Sequence, residues 1–151
     1  MNLSDFAGKL RNIDAERDAF FRGTVDNLAG CVLSKARKLT PVSEGQYEMA
    51  DGEPVKVRAG GELRKRWSAK PTQKTGRRYR AIVMNNARYA SYVEHGHRQH
   101  VGQFVPVLGK RLKEPWVAGV HMLQISHNEV NRQAGAIIQR RFHEFLKGHL
   151  Q

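Results

Sequence analysis

Residues 60–67 read GGELRKRW, and they begin the part of the chain that decides its fold. Apolar and cationic residues alternate from here with a period of two, which predicts strands over 63–70 and 77–85, joined by a connection that starts at Pro71. Trp67 falls on the apolar face and is expected to be buried. Like charges on neighbouring strands repel one another, so the opposite face must meet solvent or a partner. That cationic face consists of Arg64, Arg66, Lys70, Arg78 and Arg80.

Two amphipathic segments flank these strands. Apolar residues recur at spacings of three and four from Phe21 to Leu39, which predicts a helix that Pro41 ends. A separate short helix is predicted over 4–12 and a final long helix over 119–147. The order of helix, strands and helix predicts an α+β fold, in which a small antiparallel sheet is packed by two long helices and connected by long loops.

The remaining segments are less regular. In 43–62, the pair Asp51-Gly52 suits a two-residue turn, so this segment is either a small hairpin or a mobile loop. Residues 88–95 are expected to form a short helical turn. Glycine and proline make the stretch 97–118 mostly loop.

Length and charge limit the class of protein. A chain of 151 residues fits one domain, predicted to span 1–151. The 26 Lys and Arg against 14 Asp and Glu give a formal charge of +12, which implies an acidic partner such as nucleic acid, a membrane surface or an acidic protein. The sequence shows neither a secretory signal nor a run of ~20 apolar residues, so we expect a soluble protein without membrane contact. The single Cys31 excludes an internal disulfide.

Three short motifs occur in a fixed order. Residues 39–42 read LTPV, the GGELRKRW segment follows at 60–67, and residues 86–97 read NARYASYVEHGH. In this order, they resemble the gene-product-ten-like family of head–tail connector proteins from long-tailed phages. The resemblance covers about residues 20–100, and it rests on the order of the motifs rather than on any one of them.

The resemblance implies a structural virion protein of the neck, made in the host cytoplasm and carrying out no catalysis. Such a protein joins the upper end of the tail to the head-closure or connector ring. The partners implied are the head-closure protein and a tail terminator or tail-tube protein, within a sixfold homo-oligomeric ring. The loops at 43–62 and 96–118 would reach neighbouring subunits. No cofactor is implied.

The candidate interface combines the strand-face cations with two residues of the third motif. Glu94 stands where the family has a recurrent carboxylate, and we expect it to hold its own turn and the loop after Gly96 by accepting backbone hydrogen bonds. His97 departs from the family pattern, which has a small hydroxylated residue there. The predicted interface residues are Arg64, Arg66, Arg78, Arg80, Glu94 and His97.

A metal site is the weaker interpretation of the histidines. His95, His97 and His100 lie within six residues, and Glu94 or His121 could complete a ligand set for a metal-dependent nuclease. Structural zinc sites normally use four ligands that include cysteine, so no metal is predicted. The sequence also lacks nucleophile, phosphate-loop and HExxH motifs, so no catalytic residue is predicted.

The alternative function is that of a small basic nucleic-acid-binding protein. Aromatic residues interleave with arginines as in single-strand-binding platforms. The strand aromatics share the phase of the apolar residues, which favours burial over base stacking. Positive charge alone gives non-specific, salt-sensitive DNA contact, which is also compatible with a neck protein. The aromatics concerned are Trp67, Tyr79, Tyr89 and Tyr92.

Overall fold

A computed structural model describes residues 3–42, 46–50, 53–58, 60–106 and 109–150. Within these ranges, two long helices at the chain ends flank short strands that pair in twos, as β1–β2, β3–β4, β5–β8 and β6–β7. The predicted α+β class with two long helices is therefore confirmed. The elements in chain order are α1 (Leu3–Leu39), β1 (Gln46–Ala50), β2 (Glu53–Arg58), α2 (Glu62–Lys65), β3 (Trp67–Thr75), β4 (Arg78–Asn85), α3 (Ala90–His95), β5 (Gly96–Arg98), β6 (Phe104–Val105), β7 (Lys110–Arg111), β8 (Trp116–Ala118) and α4 (Met122–Leu150).

Helix α1 is one continuous helix, so the prediction of two separate helices is wrong. No proline interrupts the stretch between the two predicted helices, and ion pairs bridge successive turns there. Arg17 contacts Asp14 at 2.7 Å, and Arg22 contacts Asp18 at 3.0 Å. Such pairs three or four residues apart stabilise a helix by a few tenths of a kcal/mol each, roughly 0.2–0.5.

Helix α1 ends at Leu39 because proline follows shortly afterwards. Pro41 has no N–H to continue the helical ladder. The last turn is closed by Thr40, whose backbone N and hydroxyl both donate to the Ala36 carbonyl, at 3.0 and 2.6 Å. The predicted end of the helix is therefore confirmed.

The β1–β2 segment is a hairpin, one of the two alternatives that the sequence left open. Its strands are antiparallel, and the register places Ala50 opposite Glu53 and Glu48 opposite Val55. The predicted turn at Asp51-Gly52 lies outside the described residues. The other prediction for this segment, mobility in the isolated protein, stays a prediction.

The chain divides into two compact units. Unit 1 comprises Met1–Leu33, Ala69–Val83 and His127–Gln151, and unit 2 comprises Ser34–Ser68 and Met84–Ser126. Both are assembled from separate stretches of sequence, so a division at one point in the chain would not separate them. That residues 1–151 form one domain stays a prediction.

In unit 1, α4 packs antiparallel against the N-terminal part of α1. Lys9 donates to the Leu150 carbonyl at 3.1 Å, and Arg141 donates to the Thr24 hydroxyl at 3.2 Å. Between these points, the ring of Phe20 lies 4.7 Å from that of Phe145. Helix α4 continues to Leu150, three residues beyond the predicted end.

In unit 2, Trp67 is the central buried aromatic. Only 4% of it is exposed, as the sequence predicted. Its indole Nε1 donates to the Thr40 hydroxyl at 2.7 Å, and Arg37 donates to its carbonyl at 2.9 Å. A buried indole usually has such a partner, because a buried N–H without a hydrogen-bond acceptor costs free energy.

The strand predicted over 63–70 begins four residues later than expected, because α2 precedes it. Gly61 adopts a left-handed conformation with φ 87°, which turns the chain into this single helical turn. Pro71 lies inside β3 and not in a connection. A two-stranded ladder consists of two edge strands, and edge strands tolerate proline.

Candidate assembly surface

The predicted cationic face is divided in the structure. Arg64 lies in α2 and donates to the Thr40 carbonyl at 2.9 Å, while Arg66 follows α2 and contacts Glu62 at 3.2 Å. Arg78 and Arg80 are exposed positions of β4. The expectation that all four arginines lie on paired strands is therefore wrong, because the first two belong to a helical turn in place of a strand.

Strand β4 itself follows the predicted alternation. Its exposed positions alternate with half-buried ones from Arg78 to Val83, and Tyr79 is half-buried. The arginines of this strand consequently face outward on unit 1. They are available to a partner, as the interface prediction requires, and their role in an interface stays a prediction.

Asp18 attaches the β3–β4 hairpin to α1. Its carboxylate accepts hydrogen bonds from the Lys74 ammonium, the Tyr79 hydroxyl and the Arg22 guanidinium. These donors, Lys74 first, hold the pKa of Asp18 well below its usual range. Asp18 in turn raises the pKa of Lys74. The hairpin position is therefore specified by charge as well as by packing.

Asp26 makes a second attachment two helical turns further along α1. Its carboxylate accepts from the backbone N and the hydroxyl of Thr72, at 2.9 and 2.6 Å. These bonds lower the pKa of Asp26, the hydroxyl bond contributing most. Arg22 adds a bond to the Thr72 carbonyl at 3.1 Å. Sequence reasoning missed both aspartates as attachment points, although their spacing of eight residues places them on one face of the helix.

A cleft beside the Asp18 attachment has a volume of about 410 Å³. The rings of Phe21 and Tyr79 lie 5.4 Å apart in it. Three of the lining residues are cations, of which Arg17 contacts Asp14 and Lys74 contacts Asp18. We call this site the cationic cleft. Its lining residues are Arg17, Phe21, Lys74, Gly76, Arg77 and Tyr79.

Glu94 caps helix α4. It is only 8% exposed, and its two carboxylate oxygens accept from the backbone N–H groups of Leu123 and Gln124, at 3.0 Å each. The first N–H groups of a helix have no partner within it, and their dipoles favour a negative charge. The side chain therefore holds a helix that begins 28 residues later, and not its own turn and the following loop as expected. Glu94 is buried, and the interface contact predicted for it stays a prediction.

The residue before α4 is also bound by Glu94. His121 has a φ of 54°, a conformation that few residues other than glycine adopt. Its backbone N donates to the Glu94 carbonyl at 3.1 Å, and its carbonyl accepts from Ile125 at 2.9 Å. The backbone and the side chain of Glu94 thus both bind the start of α4.

Gly96 marks a close approach of two backbone segments. It pairs with Ala118 in the β5–β8 ladder, and its φ is 82°. A Cβ atom at this position would lie 2.4 Å from the Val117 carbonyl oxygen, and one at Gly119 would lie 2.3 Å from the Glu94 carbonyl oxygen. Glycine is required at both positions for the chain to cross here.

Two histidines of the third motif lie close to other rings. His97 is half-buried with its ring 5.7 Å from that of Tyr92, while the rings of His95 and His121 lie 6.4 Å apart. Among the described residues, the Nδ1 atoms of His97 and His121 are buried without a hydrogen-bond partner. The same part of the chain contains no group of three or more His, Cys, Asp or Glu that could hold a metal ion.

Large apolar side chains are exposed around the loops of unit 2. They are 36–60% exposed, although aromatic and branched aliphatic residues are usually buried. We call this set the apolar loop surface. It consists of Tyr92, Val101, Phe104, Trp116, Val117 and Val120.

The fold is α+β, and its candidate site is a surface of charged and apolar side chains, with the buried carboxylate of Glu94 used for helix capping. The comparison with protein families gives the particular family. The chain matches the family described as Bacteriophage HK97-gp10, putative tail-component, over residues 4–96. It belongs to this family, as the motifs predicted. No curated protein and no solved structure matches the chain.

Membership indicates a phage structural protein that is located in the virion and contacts other virion proteins. The match ends at Gly96. It therefore includes Glu94 but not the residues that Glu94 caps at the start of α4. Within the described residues, no helix is long and apolar enough to cross a membrane.

Proposed function

We propose that this tail component joins the upper end of the tail to the head-closure or connector ring. It acts as one subunit of a sixfold ring and contacts a tail terminator or tail-tube protein on its other side. The observation that carries the proposal is the apolar loop surface in a member of a phage tail family. Closed rings of identical subunits are a common outcome of head-to-tail contacts between copies.

The exposed aromatics are suited to such contacts. Aromatic residues are enriched at protein interfaces. Trp116 is 51% exposed. Burying the exposed half of its side chain, roughly 120 Å², contributes about 3 kcal/mol to an interface.

The proposed role requires no catalysis. The carboxylates of the candidate surface already have structural partners, since Glu94 binds the start of α4 and Asp18 binds the β3–β4 hairpin. A general acid or base needs access to a substrate proton at hydrogen-bond distance. The side chains are therefore better placed for a scaffold than for turnover.

The second candidate function is non-specific nucleic-acid binding. Residues 63–93 contain nine Lys or Arg and no Asp or Glu. Two aromatics of this stretch, Tyr89 and Tyr92, are exposed. DNA affinity of this kind falls steeply with salt, so a titration from low to physiological salt separates it from a protein–protein role.

The test of the joining role is substitution of the apolar loop surface in the phage. Phe104→Ser combined with Trp116→Ser should leave the protein folded and yield unattached heads and tails by electron microscopy. Leu10→Ser is the matched control, because Leu10 is similarly exposed but belongs to unit 1. A normal yield of complete particles from the double variant would exclude this surface as the joining contact.

A further inference from the structure

We propose that one face of the β3–β4 hairpin binds the phosphate backbone of double-stranded DNA. The inference rests on the nucleic-acid binding proposed as the second function, and it assigns that function a site in unit 1. The joining contact proposed above uses the apolar loop surface, which belongs to unit 2 and shares no residue with this face.

The side chains that bind α1 show which face of the hairpin points away from it. Thr72 and Lys74 of β3 and Tyr79 of β4 are hydrogen-bonded to carboxylates of α1. Neighbouring side chains of a strand point to opposite faces, so the residues next to these three point away from α1. We call this set the outer hairpin face. It consists of Gln73, Thr75, Arg78 and Arg80, all of them exposed.

No acid neutralises the outer hairpin face. Residues 69–83 contain five Lys or Arg and no Asp or Glu. Within the described residues, Arg78 and Arg80 take part in no ion pair, and neither does the exposed Arg77 in the adjoining turn. Asp18, which binds the hairpin, accepts its donors on the side that faces α1. The face and its turn therefore present three unpaired guanidinium groups.

The composition of this face favours nucleic acid over an acidic protein. The centre of a protein interface is depleted in charge, whereas protein–DNA interfaces are polar and strongly positive. Among residues 69–83, Ile82 is the one large apolar side chain that is exposed, at 37%. Gln73 and Thr75 add amide and hydroxyl donors, which commonly contact phosphate oxygens.

The same face favours a duplex over a single strand. Single-strand platforms stack bases on exposed aromatic rings, but the aromatic ring of this hairpin, that of Tyr79, lies against Phe21 of α1. Arg78 and Arg80 are two residues apart, about 6.8 Å along a strand, and successive phosphates of one DNA strand rise about 3.4 Å along the helix axis. The two guanidinium groups can therefore bind separate phosphates, each through two parallel hydrogen bonds.

The experiment measures binding of the purified full-length protein to a duplex of about 20 base pairs, at salt concentrations from about 50 to 200 mM. The test variant carries Arg78→Gln and Arg80→Gln. Each phosphate contact contributes about 0.9 to the slope of log affinity against log salt, so this variant should lose about 1.8 of the slope and bind about tenfold more weakly at low salt. The matched control removes the same charge from exposed positions of α4, by Arg132→Gln and Lys147→Gln, and should keep the slope within about 0.5.

Two further variants separate charge from other effects. Arg78→Lys combined with Arg80→Lys keeps the charge and should keep the slope, while Arg77→Gln alone should lower it by about 0.9. Affinity should be equal for AT-rich and GC-rich duplexes, because backbone contacts carry no sequence information. The thermal midpoint of each variant should match that of the unmodified chain, because the substituted positions are exposed.

Three results would count against the site. If the Arg78 and Arg80 variant binds DNA with the affinity and slope of its control, the inference is overturned and the second function stands. If the unmodified protein does not bind the duplex at low salt, both are wrong. If the variant keeps its DNA binding but no longer joins heads to tails, the face binds an acidic protein and the inference is wrong.

Discussion

Glu94 caps α4 although it lies 29 residues before Leu123, the first amide that it binds. Replacing Glu94 by alanine removes this cap. Two backbone N–H groups, those of Leu123 and Gln124, lose their carboxylate partner. A hydrogen bond to a charged group contributes about 1.5–3 kcal/mol, and the loss of a helix cap costs about 0.5–2 kcal/mol. Because the two bonds share one side chain, we expect the free energy of unfolding to fall by about 2–4 kcal/mol.

Chemical denaturation of the purified protein measures this loss directly. For a chain of this length, about 3 kcal/mol corresponds to a fall in the thermal midpoint of roughly 6–12 °C. Glu94→Gln retains one acceptor oxygen, so its free energy of unfolding should fall about half as far as that of Glu94→Ala. Amide exchange at Leu123 and Gln124 should accelerate in both variants.

The matched control is Glu144→Ala, at an exposed position of the same helix. It should change the free energy of unfolding by no more than about 0.5 kcal/mol. If Glu94→Ala were equally neutral, or if the two amides exchanged at unchanged rates, the capping role derived from the structure would be refuted.

Three further predictions concern the stability of the folded chain. Trp67→Ala should lower the free energy of unfolding by about 3–5 kcal/mol in denaturation, and Trp67→Phe should lose less, chiefly the bond to Thr40. Gly96→Ala should cost about 2 kcal/mol or more, because its Cβ would collide with a carbonyl, whereas Gly135→Ala in α4, with open space around it, should be neutral or stabilising by up to about 1 kcal/mol. Because the pKa of Asp18 is lowered in the folded protein, its ionised carboxylate contributes to stability at pH values above the ordinary aspartate pKa of about 3.9. This contribution to stability is lost as the pH falls further. Asp18→Asn should therefore flatten the dependence of stability on pH between about 2 and 5.

The long helices and the buried indole followed from sequence periodicity. Many residues contribute to a helical stripe, so the pattern in α1 was clear even where its start was mistaken. The four residues of α2 are too few to distinguish a period of 3.6 from a period of 2. The decisive feature there is the left-handed conformation of Gly61, which the spacing of apolar residues in the sequence does not reveal.

The hydrogen bonds that Asp18 and Glu94 make to distant parts of the chain were less predictable, because the residue at each end of the bond had to be known. Asp18 meets Lys74 and Tyr79, which lie 56 and 61 residues away in sequence. Glu94 was selected by its place in a motif, but its partners lie 29 and 30 residues further on. A carboxylate can be recognised as important from its neighbours in sequence, whereas its role depends on what the fold brings to it.

The central claim is that this tail component is required to join tails to heads. Heads and tails can be prepared from a phage whose copy of the gene is disrupted, and the purified protein can be added back at increasing concentration. Joined particles are then counted by electron microscopy. The account predicts few joined particles without the protein and recovery in proportion to the amount added. Complete particles at the normal yield in its absence would contradict it.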